Sequence, residues 1–249
     1  GLVTGAAIAR QHGDGRLGRQ GERTADRWAR KVKKWTVTSN GPLSDAPYFL
    51  RLTKDGHPDK GTTYSIGDGG PARADQRRVV DPSFLELVRL GVLPADDPDV
   101  RTTLAVVDAR LGVSTPNGFF WHRASFDGYG EKADGSAWDY GLPDGSLITR
   151  GRAWPLLNGE RGEYLLAAGS RTGAGAQLAT MTRAAGPGAR SGFIYLGRSA
   201  ALRGRFVRLP AEQAGAALSP RNRLIHPIEI SAYVADGALK VIVEFSRMC

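Results

Sequence analysis

The chain has 249 residues, 41% of them hydrophobic and 24% charged, which is enough for one large domain or two small ones and too apolar for disorder throughout. The formal net charge is +9, no apolar run approaches the roughly 18 residues of a membrane span, and the one cysteine, Cys249, excludes an intrachain disulfide. Residue 1 is Gly, with neither an initiator Met nor a signal-peptide pattern, so the chain reads as part of something longer and its compartment stays open.

Taken from the N-terminus, residues 2–9 read as the late turns of a helix. Within 22–35, Trp28, Val32 and Trp35 fall at i, i+4 and i+7, which predicts one helix face, with Lys31, Lys33 and Lys34 off it in solvent. Residues 36–78 are rich in Gly, Pro, Asp and Thr and predict a long ordered loop with short strands. Asp81-Pro82 supplies a cap and a first-turn proline, Phe84, Leu87 and Val88 an apolar face, and Gly91 a stop. Asp97-Pro98 repeats the device ahead of Val100, Leu104, Val107 and Leu111. A second long loop, 112–150, places Phe119, Phe120, Trp121, Tyr129, Trp138 and Tyr140 amid Asp and Gly, and 153–168 and 175–184 again read as helices.

Near residue 189 the texture changes to Arg, Ala, Gly and Pro with little periodicity, and the last stretch predicts two strands around Asp236-Gly237. Residues 190–249 hold nine Lys/Arg against four Asp/Glu, over half of the whole excess. Such a balance can bind nucleic acid, but no recognised binding motif accompanies it, so neither nucleic acid nor a membrane is expected as a partner.

Metal and cofactor signals are weak. Asp55-Gly-His-Pro-Asp59 begins like a calcium loop, but Gly61 stands at the seventh place and Ile66 where a Glu is needed. Gly173-Ala-Gly175 lacks the third glycine and the preceding strand of a dinucleotide fingerprint. One Cys and four scattered His do not make a zinc site. No metal and no cofactor is expected. Glu160 and Glu163, at i and i+3, share a helix face. Salt bridges and structural support, with Arg161 nearby, are the reading preferred over paired-carboxylate catalysis.

The most informative stretch is GRAWPLLNGERGEYLLAAG, 151–169. It resembles a segment of glycoside hydrolase family 15, the bacterial glucoamylases and glucodextranases. TVTSNGPLSDAPYFLRLTKDG (36–56), IGDGGPARADQRRVVDPSFLELVRLGV (66–92), VSTPNGFFWHR (113–123) and DGYGEKADGSAWD (127–139) resemble the same family in the same order. Helical periodicity alone implies only a mostly α chain. The resemblance implies an all-α fold, part of an (α/α)6 toroid with long ordered loops over 1–188. A divergent basic tail, irregular or small-β, follows over 189–249 as a fusion or frame change. Half a toroid is expected to leave faces such as Phe84/Leu87/Val88 or Val100/Leu104/Val107 uncovered, and so to associate.

The family reaction implied is inverting exo-hydrolysis of α-glucosidic bonds with release of glucose, which needs an acid and a base carboxyl. The acid segment would lie ahead of residue 1. The base lies in a Pro-Glu-Gln segment, for which Pro210-Ala211-Glu212-Gln213 is an imperfect match, so Glu212 is a weak base candidate and the polypeptide alone is expected to be inactive. By the same resemblance Arg123 hydrogen-bonds the sugar and Trp154 packs on its rings. Asp127 and Glu131, either side of Tyr129, are candidates to bond sugar hydroxyls or to cap the loop. His122 is expected to be structural. The partner implied is an α-glucan or related oligosaccharide, with α-1,4, α-1,6 and trehalose linkages left open. A non-catalytic carbohydrate-binding remnant and, less favoured, a basic nucleic-acid-binding module are the alternatives.

Overall fold

A computed structural model describes residues 1–136, 143 and 145–184 in full, and the backbone of 228–235 and 238–245. Two compact units divide at residues 195 and 196. Helix α1 (Leu2–Gln11) turns through Gly13, and α2 (Gly15–Ala29) begins where the Asp14 side chain accepts from the Leu17 N–H at 2.9 Å. The two helices run antiparallel and very close. A Cβ at Gly18 would lie 3.1 Å from the Ala6 carbonyl oxygen, and one at Gly21 3.1 Å from the Ala6 Cβ. These glycines lower helix propensity, yet they let the two backbones meet, so α2 begins seven residues before the periodic stretch at 22.

The single helix expected over 22–35 is not formed. Arg30 and Lys31 interrupt it, α3 (Val32–Thr36) follows, and Trp28 and Trp35 remain 53% and 37% exposed. Lys33, expected in solvent, instead meets the second helix cap. Its Nζ donates to Asp97 at 2.7 Å and pairs with Asp99 at 2.9 Å. Burial disfavours its charge, but the two carboxylates outweigh that and raise its pKa.

The long loop 36–78 is ordered by short strand pairs and buried polar anchors. β1 (Val37–Thr38) pairs with β2 (Tyr48–Phe49), and β3 (Thr63–Tyr64) with β4 (Ala74–Asp75), both antiparallel. The fully buried Gln76 accepts from the Lys54 N–H at 3.1 Å and donates to the carbonyls of His57 and Lys60, each at 2.8 Å. Asp59 accepts from the Thr38 hydroxyl and from both the backbone and hydroxyl of Ser39. Loop-internal donors likewise take Asp55, from the His57 N–H and the Thr62 hydroxyl.

Asp81 and Asp97 cap as their sequence context predicts. Asp81 accepts from the Ser83 N–H at 3.0 Å, opening a 3-10 turn (Pro82–Phe84) that runs into α4 (Leu85–Arg89). Asp97 accepts from the N–H groups of Asp99 and Val100 at the start of α5 (Pro98–Leu111). The core gathers Tyr48, Phe49, Val80, Phe84, Val88, Val100, Val107, Leu111, Trp121, Leu157 and Tyr164, with Phe49 and Phe84 stacked 5.8 Å apart. Two faces expected to lie bare are therefore largely covered: Phe84, Val88, Val100 and Val107 are buried, and Leu87 and Leu104 pack against them. The larger exposed apolar side chains include Val3, Ile8, Leu17 and Trp28 on α1 and α2.

The second loop contains a hairpin, β5 (Gly112–Thr115) with β6 (Gly118–Trp121). The chain then folds back on itself, with isolated bridges His122–Ala153 and Lys132–Thr149. Helix α6 (Pro155–Ala167) packs on α7 (Arg171–Ala184), which starts four residues before the expected 175. The Ser170 hydroxyl caps it from the Gly173 N–H at 3.3 Å, so Gly173 and Gly175 lie inside a helix. In the second unit β7 (Ile228–Ala235) pairs antiparallel with β8 (Ala238–Phe245), with Ala235 opposite Ala238, the hairpin expected there.

Replacing Gln76 with Leu keeps bulk but strands one backbone N–H and two carbonyls. Each unsatisfied buried group costs about 1–3 kcal/mol before relaxation. Urea denaturation of Gln76→Leu should show a loss of about 2–4 kcal/mol, whereas a change below about 0.5 kcal/mol would mean that the loop does not rely on Gln76.

Candidate active site

Asp127 is the buried centre of the candidate site, with its residue only 5% exposed. Both of its oxygens accept from Arg123, from Nη2 at 2.7 Å and Nε at 2.9 Å, and the Tyr129 N–H adds a third bond at 3.3 Å. Arg123 Nη2 also donates to Asp68 at 3.0 Å. Hydrogen bonding by Asp127 outweighs burial and raises the pKa of Arg123. A guanidinium has five N–H donors. Asp127 and Asp68 occupy the three on Nε and Nη2, and among the described residues the Nη1 pair has no hydrogen-bond partner.

Aromatic rings frame the same cation. The Arg123 guanidinium carbon lies 5.1 Å from the Tyr129 ring centre and 5.9 Å from that of Trp154, within cation–π range, and the two rings are 6.0 Å apart. Trp154 is the residue before α6, its N–H donating to the Trp121 carbonyl at 2.9 Å, so the end of β6 and the start of α6 hold it. Its indole N–H is buried without a partner among the described residues.

The backbone around this cluster admits little change. Gly151 has φ +69°, and a Cβ there would stand 2.1 Å from the Asp127 carbonyl oxygen. Asp68 itself is left-handed, at φ 50°, and its carbonyl accepts from the Thr149 hydroxyl at 3.1 Å. A left-handed Asp on a loop is the kind of strained position found at binding sites.

The structure thus brings Arg123, Asp127 and Trp154 together and adds Asp68 and Tyr129. Glu131 sits apart from Arg123. Its carboxylate pairs with Arg150, whose Nε donates at 2.8 Å, and lies 3.9 Å from Arg152. His122 Nδ1 contacts the Arg152 carbonyl at 3.3 Å, a tether for the returning chain. A cleft of about 450 Å³ borders Asp127, His122 and Arg150, but Arg123, Tyr129 and Trp154 do not line it. Glu212 lies outside the described residues. The sequence pattern did not single out Asp68, although three neighbouring glycines, Gly67, Gly69 and Gly70, mark its block as tightly folded.

Glu160 and Glu163 form a separate group on α6. Arg161 does not serve them, because its guanidinium pairs with Asp108 and lies 4.7 Å from the Trp121 ring centre. Arg89 is the cation on their side, with Nε 3.5 Å from Glu163 and shared with Glu86. Burial, then the charge of Glu86, pushes the pKa of Glu160 up to about 7 despite Arg89. Among the described residues no group of three or more His, Cys, Asp and Glu is arranged to hold a metal ion.

With this geometry in hand, the likeness to known proteins is direct. The profile of glycosyl hydrolases family 15 matches residues 1–219. The chain belongs to this family. A glucoamylase of Clostridium sp. (strain G0005) is 43% identical over 169 residues, 68% of this chain and 23% of the relative. The crystal structure of a bacterial glucoamylase complexed with acarbose superposes with a TM-score of 0.68 at 40% identity, over 75% of this chain and 26% of that one. The helical architecture is that of the glucoamylase (α/α)6 toroid, of which this chain carries a part. It spans about a quarter of the length of these relatives.

Glu160 gives the α6 group a pH dependence. Its folded pKa, about 7, exceeds the ordinary 4.5, so the native state binds the proton more tightly. That contribution is complete below pH 4.5, falls as pH rises, and is gone above about 7. Glu160→Gln should therefore raise the melting stability at pH 8 by on the order of 1–3 kcal/mol and change little at pH 4. Equal shifts at both pH values would refute the titration.

Proposed function

We propose that this chain forms part of the sugar-binding wall of a glucoamylase-type glycosidase, which hydrolyses α-glucosidic bonds from the non-reducing end with inversion. The observation that carries the reading is Arg123 braced by Asp127 and Asp68 beside the rings of Tyr129 and Trp154. Bracing fixes the plane of the guanidinium and leaves the Nη1 donors for vicinal hydroxyls. An indole offers a flat apolar face to a pyranose ring and an N–H at its edge.

Within this reading Asp127 positions Arg123, since both its oxygens are engaged. Glu131 acts one step further out, steadying Arg150 and Arg152. The carboxyl pair of an inverting glycosidase flanks the scissile bond with room for a water. Glu212 remains the candidate base and falls within the family-matched span. Residues 1–188 are the toroid portion in this proposal, and 189–249 a divergent basic tail. The substrate is an α-glucan or related oligosaccharide, and the acarbose held by the related glucoamylase makes that compound the natural probe.

Calorimetric titration with acarbose should show binding that falls at least tenfold in Arg123→Ala, as a hydrogen bond to a charged group contributes about 1.5–3 kcal/mol. Trp154→Ala should lose a similar amount through ring packing. Wild-type affinity in both variants would remove these residues from the site. The 249-residue polypeptide is expected to release negligible glucose from maltose, isomaltose or starch. Turnover within about tenfold of a full-length relative, about 1.4 kcal/mol in barrier, would show that it carries both carboxyls, and its loss in Glu212→Gln would then assign the base.

A further inference from the structure

The cleft of about 450 Å³ that borders Asp127 is lined by basic side chains that the sugar-binding cluster does not use. Arg78 ends the 3-10 turn that follows β4 (Gln76–Arg78), and Arg110 stands in the last turn of α5. Both are exposed, both line the cleft, and among the described residues neither is in a salt bridge or a side-chain hydrogen bond. Asp75, two residues before the end of the turn's first pair of arginines, is taken by Arg77 through Nε and Nη2. Arg150, already paired with Glu131, and His122 complete the basic lining. The one carboxylate in it, that of Asp127, has both oxygens on Arg123. Two guanidinium groups therefore share a concave surface with no free anion among the described residues.

Backbone strain gathers at the same place. Among the described residues three non-glycine residues are left-handed: Asp68, Phe126 and Leu147. Phe126 and Leu147 line the cleft, and Asp68 directly precedes Gly69 of its wall. For bulky side chains this conformation is costly, persists only where the surroundings enforce it, and clusters at ligand clamps. Here the surroundings do enforce it: the Leu147 N–H donates to the Gly69 carbonyl at 2.8 Å, and a Cβ at Gly70 would stand 2.7 Å from the Phe126 carbonyl oxygen. Burial offers little compensation, since Phe126 is 50% exposed and Leu147 63%. The fold thus holds two apolar side chains half in solvent beside two unpaired guanidinium groups. A phosphate monoester, a dianion with three terminal oxygens, can accept from both guanidinium forks, which exceed what the two oxygens of one carboxylate need. The apolar side chains suit a ring carried on the ester oxygen, and the cleft is within the ~300–1,000 Å³ of small-molecule sites.

We propose that this cleft is a binding site for a small phosphate monoester, its phosphate held by Arg78 and Arg110 and its ring by Phe126 and Leu147. The site is distinct from the sugar-binding cluster, because Arg123, Tyr129 and Trp154 do not line it. It does not rest on the sugar-binding reading, although the segments that carry Asp68 and Asp127 contribute to both.

Calorimetric titrations of the full 249-residue chain with phenyl phosphate, glucose 6-phosphate, inorganic phosphate and benzoate test it. At least one ester should bind saturably, with a Kd of about 1 mM or tighter, and several-fold more tightly than inorganic phosphate or benzoate. Arg78→Gln/Arg110→Gln should weaken that ester at least tenfold and leave the thermal melt unchanged, because both side chains are exposed. Asn tolerates a left-handed backbone, so Phe126→Asn/Leu147→Asn keeps the wall and removes its apolar groups. That variant should weaken the ester several-fold and leave inorganic phosphate unaffected. If a double variant misfolds, Arg110→Gln or Phe126→Asn alone makes the same test. Saturating acarbose should leave ester binding in place, and an ester that binds where acarbose does not bind at all still supports the cleft. Either ester binding in this pattern supports the proposal, and their ratio reports whether an aromatic or a sugar ring is preferred. Undiminished ester binding in the arginine variants would overturn it in favour of another surface. Inorganic phosphate bound as tightly as the esters, with no effect of the Asn variant, would overturn it in favour of a plain anion site. Benzoate bound as tightly would overturn the phosphate class, and displacement by acarbose would move the ligand to the sugar-binding cluster. No saturable binding by about 10 mM, weaker than about 3 kcal/mol, would leave the cleft without a ligand of this class and overturn the proposal.

Discussion

A carboxylate out of water must be paired and fully hydrogen-bonded, and Asp127 organises the loop end of this chain around that requirement. Arg123 supplies two bonds and the Tyr129 N–H a third. The same guanidinium reaches Asp68 in the first long loop, so one cation joins the segments around 68 and 123–129. Trp154 then closes over it from the start of α6. Removing either partner of such a pair leaves a buried charge unanswered, which is why loops without regular structure keep one geometry here.

The loops owe their order to polar side chains placed where water cannot reach. Gln76 and Asp59 each satisfy several groups in segments with little regular pairing of their own. Such groups are costly when unpaired and stiffening when satisfied. They hold Gly-, Pro- and Asp-rich stretches in one geometry on a helical frame. The frame rests on Asp81, which caps the 3-10 turn leading into α4, and on Asp97, which caps α5; these elements carry Phe84, Val88, Val100 and Val107 into the core.

Charge is used in two distinct ways in one molecule. Three arginines are neutralised and aimed by carboxylates: Arg123 at the candidate sugar site by Asp127 and Asp68, and away from it Arg150 by Glu131 and Arg161 by Asp108. Neutralised guanidinium groups suit an uncharged ligand, because they offer direction without a strong field. On α2 the exposed Arg16, Arg19, Arg23 and Arg27 repeat along one face, and among the described residues none of them is in a salt bridge. The net charge of +9 does not separate these uses.

Much of the fold was legible in the chain because its signals are local. Asp-Pro caps, a glycine stop and apolar residues at helical spacing act within a few residues, and they placed α4, α5 and α6 closely. Five ordered blocks placed the chain in its family, and pointed to Arg123 and Trp154. What failed were readings that depended on distant partners. Lys33 looks like a solvated lysine until Asp97 arrives from 64 residues away. Asp68 and Arg123, 55 residues apart, meet only through the fold. Sequence alone determined the residue types, the caps and the family, whereas tertiary structure decided which carboxylate holds which guanidinium, because that choice is set by burial and by contacts across loops that no local pattern encodes.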